Sequence, residues 1–255
     1  LPIFVSDLLS IPMAHQLIGY YTIADDKDKT LKVLRSYQYF AASKISDITH
    51  KTNWDTHQHR GGYVWHTTGS GKTMTSFKSA QLIANSGDAD KVVFLLDRIE
   101  LSVQSLDEYR GFAGEDEAIQ DTQNTAILLS KLKSTDNDDR LIVTSIQKMS
   151  NIKAGKDISQ DDIDLIDRKR LVFIIDECHR SIYGNWRKVL EYFDTARLIG
   201  LTATPVPETM AFFNNNRIVN YTLEKSIVDG VNVDCRVYRI KTQVTENGGA
   251  ILEGE

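Results

Sequence analysis

Short, almost wholly apolar runs recur along the chain, with helical patterns between them. Tyr63-Val64-Trp65, Lys91–Leu96, Leu141–Thr144, Leu171–Ile175 and Ala196–Leu201 each read as a strand. Between them, apolar positions at helical spacing run through Phe40, Ala41, Ile45 and Ile48, and again through Phe77, Leu82 and Ile83. Further helices are expected over Glu100 to Tyr109, Asn124 to Lys133 and Trp186 to Tyr192. Continuous apolar strands separated by helices predict an α/β fold, its mostly parallel central sheet covered by helices on both faces. In such sheets ligands gather at the carboxyl ends of the strands. The polar motifs of this chain all fall there.

The remaining stretches carry weaker patterns. Ser36 is suited to cap the helix that follows it. The charged run Asp25-Asp26-Lys27-Asp28-Lys29 reads as a solvated loop, as does acidic Gly111 to Asp121. Asp136–Asp139 reads as a turn, and 154–164, with four aspartates, as an exposed excursion. Thr222 to Val228 is expected to be a helix capped by Thr222, Cys235 to Thr245 alternates like a strand, and Asn247-Gly248-Gly249 is a hairpin signal. The expected organisation is a lead-in over 1–29, one nucleotide-binding lobe over 30–225, and a linker or new unit over 226–255. The start at Leu1, without a methionine, fits a piece of a longer protein.

Composition narrows the class. The 255 residues are 41% hydrophobic and 25% charged with 4 Pro, which suits one large α/β core or two small ones. Cys178 and Cys235 make neither a disulfide framework nor a metal-ligand cluster, so a reducing cytoplasm is expected. No apolar run approaches a membrane span, so no membrane partner is expected. A net charge of −5 weighs against gripping nucleic acid by bulk electrostatics, but permits a few backbone contacts on one face.

Chemistry concentrates first in Thr68-Gly69-Ser70-Gly71-Lys72-Thr73, between a strand and a helix. Glycines let successive N–H groups curl around phosphate oxygens, and the new helix aims its positive end at them. Lys72 is suited to reach β- and γ-phosphates, and the Thr73 hydroxyl to ligate Mg²⁺. The strict phosphate-loop pattern wants glycine at position 66, where His66 stands. A Mg²⁺-nucleotide site also needs an acid at a strand end, and Asp176 directly follows Leu171–Ile175. Its neighbour Glu177 is suited to deprotonate an attacking water. His179 can couple the nucleotide to Thr202 and Thr204 at the next strand end. Upstream, Arg35-Ser36-Tyr37-Gln38 offers an amide whose donor–acceptor pair matches the edge of adenine.

The order Gln38, Lys72, Asp176-Glu177-x-His179, Thr202-Ala203-Thr204 resembles the superfamily 2 helicases and translocases. The longer phrases Trp65-His66-Thr67-Thr68-Gly69-Ser70-Gly71-Lys72-Thr73 and Asp176-Glu177-Cys178-His179-Arg180-Ser181 are similar to the motor subunit of type I restriction enzymes, where a histidine at 66 is at home; Gly200–Pro205 agrees. Asp97-Arg98-x-x-Leu101-x-x-Gln104 and Thr144-Ser145-Ile146-Gln147 resemble that family's DNA-contacting motifs. The resemblance covers roughly residues 34–205; Ser36 departs from it, standing where many relatives have Pro. It implies the first RecA-like lobe of a motor that moves along double-stranded DNA using ATP and Mg²⁺. Arg98, Gln104, Thr144, Ser145 and Gln147 would then face phosphates, and modification and specificity subunits would be partners. It further implies a nuclease upstream and a second lobe with an arginine finger downstream, so this stretch is expected to bind Mg-ATP, hydrolyse it poorly and not translocate. Three other readings stand beside it: a type III restriction subunit or other superfamily 2 helicase, a non-hydrolysing nucleotide- or DNA-binding module, and a small-molecule phosphate-loop kinase. Intact Lys72, Thr73, Asp176 and Glu177 weigh against the second, and Asp-Glu-Cys-His followed by Thr-Ala-Thr against the third.

Overall fold

The computed structural model describes residues 11–54, 61–96, 108–109, 111–112, 120–121, 124–155, 157–180 and 184–234. In chain order the elements are α1 (Ile11–Tyr20), β1 (Thr22–Asp25), β2 (Thr30–Val33), α2 (Ser36–His50), β3 (Gly61–His66), α3 (Lys72–Ser86) and β4 (Lys91–Leu96). There follow β5 (Gln120–Asp121), α4 (Thr125–Lys133), β6 (Leu141–Ser145), α5 (Ile146–Met149), α6 (Gln160–Asp167) and β7 (Leu171–Ile175). Last come α7 (Gly184–Tyr192), β8 (Arg197–Thr202), α8 (Pro207–Phe212), β9 (Arg217–Tyr221) and α9 (Leu223–Val228).

Seven strands form one sheet in the order β5-β6-β4-β7-β8-β3-β9. All its pairings are parallel. The apolar runs are continuous because both faces are covered, and the two-residue period assigns alternate side chains to opposite cores. Val92, Phe94, Val172 and Ile174 pack with Ile45 of α2 and Phe77 of α3. Val93, Leu95, Phe173 and Ile175 pack on the other side with Leu128 of α4, Ile163 of α6 and Val189 of α7. The sequence-based α/β class with helices on both faces therefore holds.

Several local expectations change. Asp25–Lys29 is the turn of an antiparallel hairpin, β1 with β2. Asp25 is buried, accepts the Lys27 and Asp28 N–H groups and pairs with Lys32, while Asp26–Lys29 are exposed. Ile23 joins the core on the α2 side, and the expected boundary at residue 29 falls inside this turn. Residues 160–167 are helix rather than an excursion. Ser159 caps it, Asp161 and Asp162 occupy the first turn where the helix dipole favours acids, and Ile163 and Ile166 are buried. Gln120–Asp121 pairs with β6 as a short edge strand instead of ending a loop. Helix α2 begins at Ser36 with Arg35 as its cap position, so Ser36 does not cap it. Thr222 stands at the cap position of α9 without a side-chain bond there. β9 had no sequence forecast, and the expectations for Glu100 to residue 107 and for 235–255 lie outside the described residues. Among the described residues no helix is long and apolar enough to cross a membrane.

Candidate functional site

Three neighbouring strands, β7, β8 and β3, deliver the three central motifs to one edge. Ile175 lies opposite Gly200, and Trp65 opposite Thr202. The residues that follow Ile175, Thr202 and His66 therefore emerge side by side. The Trp65 indole N–H donates to the Ala203 carbonyl at 3.0 Å, binding two of those ends together.

The loop after β3 curls because Gly69 and Gly71 adopt φ of +77° and +75°, a region costly for any residue with a Cβ. His66 is the last residue of β3 and has no positive φ, so the turn does not require glycine there. The loop's carbonyls are taken up by donors: Thr67 O by the Ser70 N–H and hydroxyl, Thr68 O by Asn232 Nδ2 at 3.1 Å, and Ser70 O by the Tyr37 hydroxyl at 2.8 Å. Gln38 Nε2 adds bonds to Ser70 O at 3.2 Å and Gly71 O at 3.3 Å. With these carbonyls bonded, and the Thr67 and Ser70 N–H groups donating to Tyr221 O and Thr67 O, the Gly69 and Gly71 N–H groups are left for an anion at the start of the fifteen-residue α3.

A contact chain links the motifs. Lys72 Nζ lies 3.5 Å from Glu177 Oε1, and Glu177 Oε2 lies 3.4 Å from His179 Nδ1. His179 Nδ1 is 2.9 Å from Thr202 Oγ1, which also accepts the Thr204 N–H at 3.1 Å. Burial, with Glu177 beside it, pushes the Asp176 carboxyl up to about 6. Glu177 sits at φ +46°, a left-handed conformation that costs a non-glycine residue of order 1–3 kcal/mol. Such strain gathers at functional sites. Thr73 follows Lys72 in the first turn of α3. Cys178 is buried, its thiol pushed up by desolvation, and a Cβ at Gly200 would lie 2.6 Å from its sulfur.

Other expected site residues take different positions. Gln38 is buried, its Oε1 accepting the Arg35 N–H at 2.9 Å and its amide nitrogen on the loop carbonyls, while Arg35 is exposed. Thr144 and Ser145 are buried at the end of β6, where Ser145 Oγ caps α5 by accepting the Lys148 N–H; Gln147 is exposed. β6 is separated from β8 by β4 and β7, so these residues sit apart from the Lys72–Thr202 chain. Arg98 and Gln104 lie outside the described residues.

Sequence reasoning missed Tyr37, Tyr221 and Asn232. Tyr37 stacks on Tyr221 at 3.8 Å between ring centres, and His66 meets both rings edge-on. Tyr37 precedes Gln38 and was within reach of motif reading. Tyr221 and Asn232 follow every recognised motif and had no local signal.

The comparisons with known proteins agree with one another. The family model described as SWI2/SNF2 ATPase matches residues 37–252. The type I restriction enzyme SsaAORF53P endonuclease subunit of Staphylococcus saprophyticus is 39% identical over 191 residues, covering 74% of this chain and 19% of that protein. A Mycoplasma pneumoniae protein, named as the C-terminal part of the type I restriction enzyme MpnIIP endonuclease subunit, is 36% identical over 167 residues, covering 64% of this chain and 79% of that protein. Among solved structures, a nuclease-deletion mutant of the type ISP restriction-modification enzyme LlaGI in complex with a DNA substrate mimic superposes with a TM-score of 0.59. At 17% identity, over 80% of this chain and 21% of that one, this is a likeness of fold. The chain spans about a fifth of the length of the staphylococcal relatives it matches (19%).

Proposed function

This chain belongs to the SWI2/SNF2 ATPase family, among the endonuclease subunits of type I restriction enzymes, and on that premise we propose that it forms the Mg-ATP-binding lobe of a motor acting on double-stranded DNA. The observation that carries the reading is the unbroken contact chain from Lys72 through Glu177 and His179 to Thr202. In this proposal Lys72 and the loop N–H groups hold the β- and γ-phosphates. Glu177 accepts the proton of the attacking water. His179 and Thr202, with Thr204 on the same hydroxyl, transmit the state of Glu177 to the end of β8. Gln38 and Arg35 face the base.

The Asp176 carboxylate, desolvated and beside a second carboxylate, fits a divalent cation. Among the described residues no three His, Cys, Asp or Glu side chains converge on a metal site. A Mg²⁺ ion suits that sparse donor set, because it is usually held by one or two carboxylates together with substrate phosphates. Thr73 and Asp176 would hold it. When bound, it neutralises charge developing on the β- and γ-oxygens.

Arg98, Gln104 and Gln147, with the Thr144-Ser145 strand end, are the proposed DNA-backbone contacts, giving position rather than sequence. Modification and specificity subunits are proposed as partners in the full assembly. Because the chain spans only about a fifth (19%) of the staphylococcal relatives, whole-motor activity is not assigned to it alone. Without an arginine finger from elsewhere, turnover is expected to lie roughly 10³–10⁵ below that of a complete motor.

Calorimetric titration with Mg-ATP, and phosphate release with and without duplex DNA, test the reading. Lys72→Ala is expected to lose binding. Glu177→Gln is expected to keep binding and lose turnover by roughly 10²–10⁴. Equal Mg-ATP affinity in Lys72→Ala and wild type would remove the loop from the nucleotide site.

A further inference from the structure

The phosphate loop is held from outside by a bracket that follows the last recognised motif. Thr67 N–H donates to the Tyr221 carbonyl at 3.0 Å, where β3 pairs with β9. The Tyr221 hydroxyl donates to Asp229 Oδ2 at 2.9 Å, and its ring stacks on Tyr37, which itself donates to Ser70 O. Beyond α9, Gly230 at φ +67° turns the chain back. The N–H groups of Val231 and Asn232 then both donate to the Ser226 carbonyl. That turn sets the Asn232 amide along the loop. Its Nδ2 donates to Thr68 O at 3.1 Å and to the hydroxyl of buried Ser226 at 2.9 Å. Its Oδ1 lies so near Gly69 that an added Cβ would approach it to 3.0 Å.

We propose that Asn232 is a positioning residue of the phosphate loop: by holding the Thr68 carbonyl outward, it keeps the Gly69 N–H of the same peptide turned toward the triphosphate. The inference rests on the nucleotide reading above and extends it to a segment that carries none of the recognised motifs. The peptide plane makes the two directions one variable, since a carbonyl pinned outward fixes the opposite face of its own peptide. Tyr37 and Gln38 restrain Ser70 and Gly71 in the same sense, while Asn232 is the side-chain donor to Thr68 O. Loading of the loop should therefore be felt along 229–234, the path by which the chain leaves α9.

The test compares wild type, Asn232→Ala, Asn232→Asp and Lys72→Ala by Mg-ATP calorimetry, amide hydrogen exchange and melting. Asp suits the same turn as Asn but replaces the Nδ2 donor with an acceptor, so it separates the bond to Thr68 from the turn itself. Asn232→Ala is expected to weaken Mg-ATP binding about five- to tenfold, the scale of one hydrogen bond, and Asn232→Asp by more. Both should speed exchange at Thr67 and Ser70 without nucleotide, with little change in melting midpoint, and Mg-ATP should slow exchange over 229–234 in wild type. If Lys72→Ala loses Mg-ATP while both Asn232 variants bind and exchange like wild type, the positioning role is overturned and the nucleotide site stands. If wild type itself fails to bind Mg-ATP, the nucleotide reading falls and this inference falls with it.

Discussion

At position 66 an imidazole without a hydrogen-bond partner among the described residues is sealed against the stacked rings of Tyr37 and Tyr221. Burial, and then the charge of Lys72, lower its pKa from 6.5 to about 4. A histidine that folds neutral binds fewer protons native than unfolded across that interval. Stability is thus complete above about pH 6.5 and declines as pH falls toward 4. The His66 contribution lost between pH 7 and pH 5 is about 2 kcal/mol. His66→Phe keeps a ring in the cage and removes the titration. Its melting temperature should therefore fall less than that of wild type over this range. Parallel pH profiles for the two proteins would show that His66 is not the acid-sensitive group.

At the scale of elements, α2 is tied to the phosphate loop through one side chain. Gln38 accepts the Arg35 N–H, which satisfies an otherwise unpaired donor at the helix start, and donates to two loop carbonyls. Both carbonyls keep a second partner, the Tyr37 hydroxyl for Ser70 O and the Thr75 N–H for Gly71 O. Gln38→Ala should accordingly cost a modest amount, about 1–2 kcal/mol by chemical denaturation. If the same amide also faces the base, the variant should lose any preference for ATP over GTP. A preference that survives intact would assign Gln38 to the loop alone.

Across the whole molecule, the sheet order separates two sets of residues. β7, β8 and β3 carry the Lys72–Thr202 chain, while β4 and β6 lie beyond β7, one motif proposed for DNA following β4 and the other beginning within the end of β6. Only Arg98 is charged among the five residues assigned to the duplex, and the chain carries a net charge of −5. Duplex affinity should consequently depend weakly on salt, with a log–log slope of about −1. A slope steeper than about −4 in fluorescence anisotropy would mean that a basic surface elsewhere carries the contact.

Much of this was legible along the chain itself. Runs such as Leu171–Ile175 are apolar at every position because both faces of the sheet are covered, and that pattern is local. Gly69 and Gly71 were readable as loop residues because only glycine takes a left-handed φ at little cost. The helix over 160–167 was hidden, since aspartates suited to a helix start resemble an exposed loop. Ser145 illustrates the opposite difficulty: the same residue type suits a phosphate contact and a helix cap, and only the structure shows that its Oγ accepts the Lys148 N–H at the start of α5. The sequence alone determined the α/β class, the strands that carry the motifs, and the residue types offered to a nucleotide. Tertiary structure alone decided the strand order that joins Lys72 to Thr202 and the bracket that brings Asn232 onto Thr68, 164 residues away. Strand order and return contacts of that length arise from packing between distant segments, and packing between distant segments leaves no periodicity in either one.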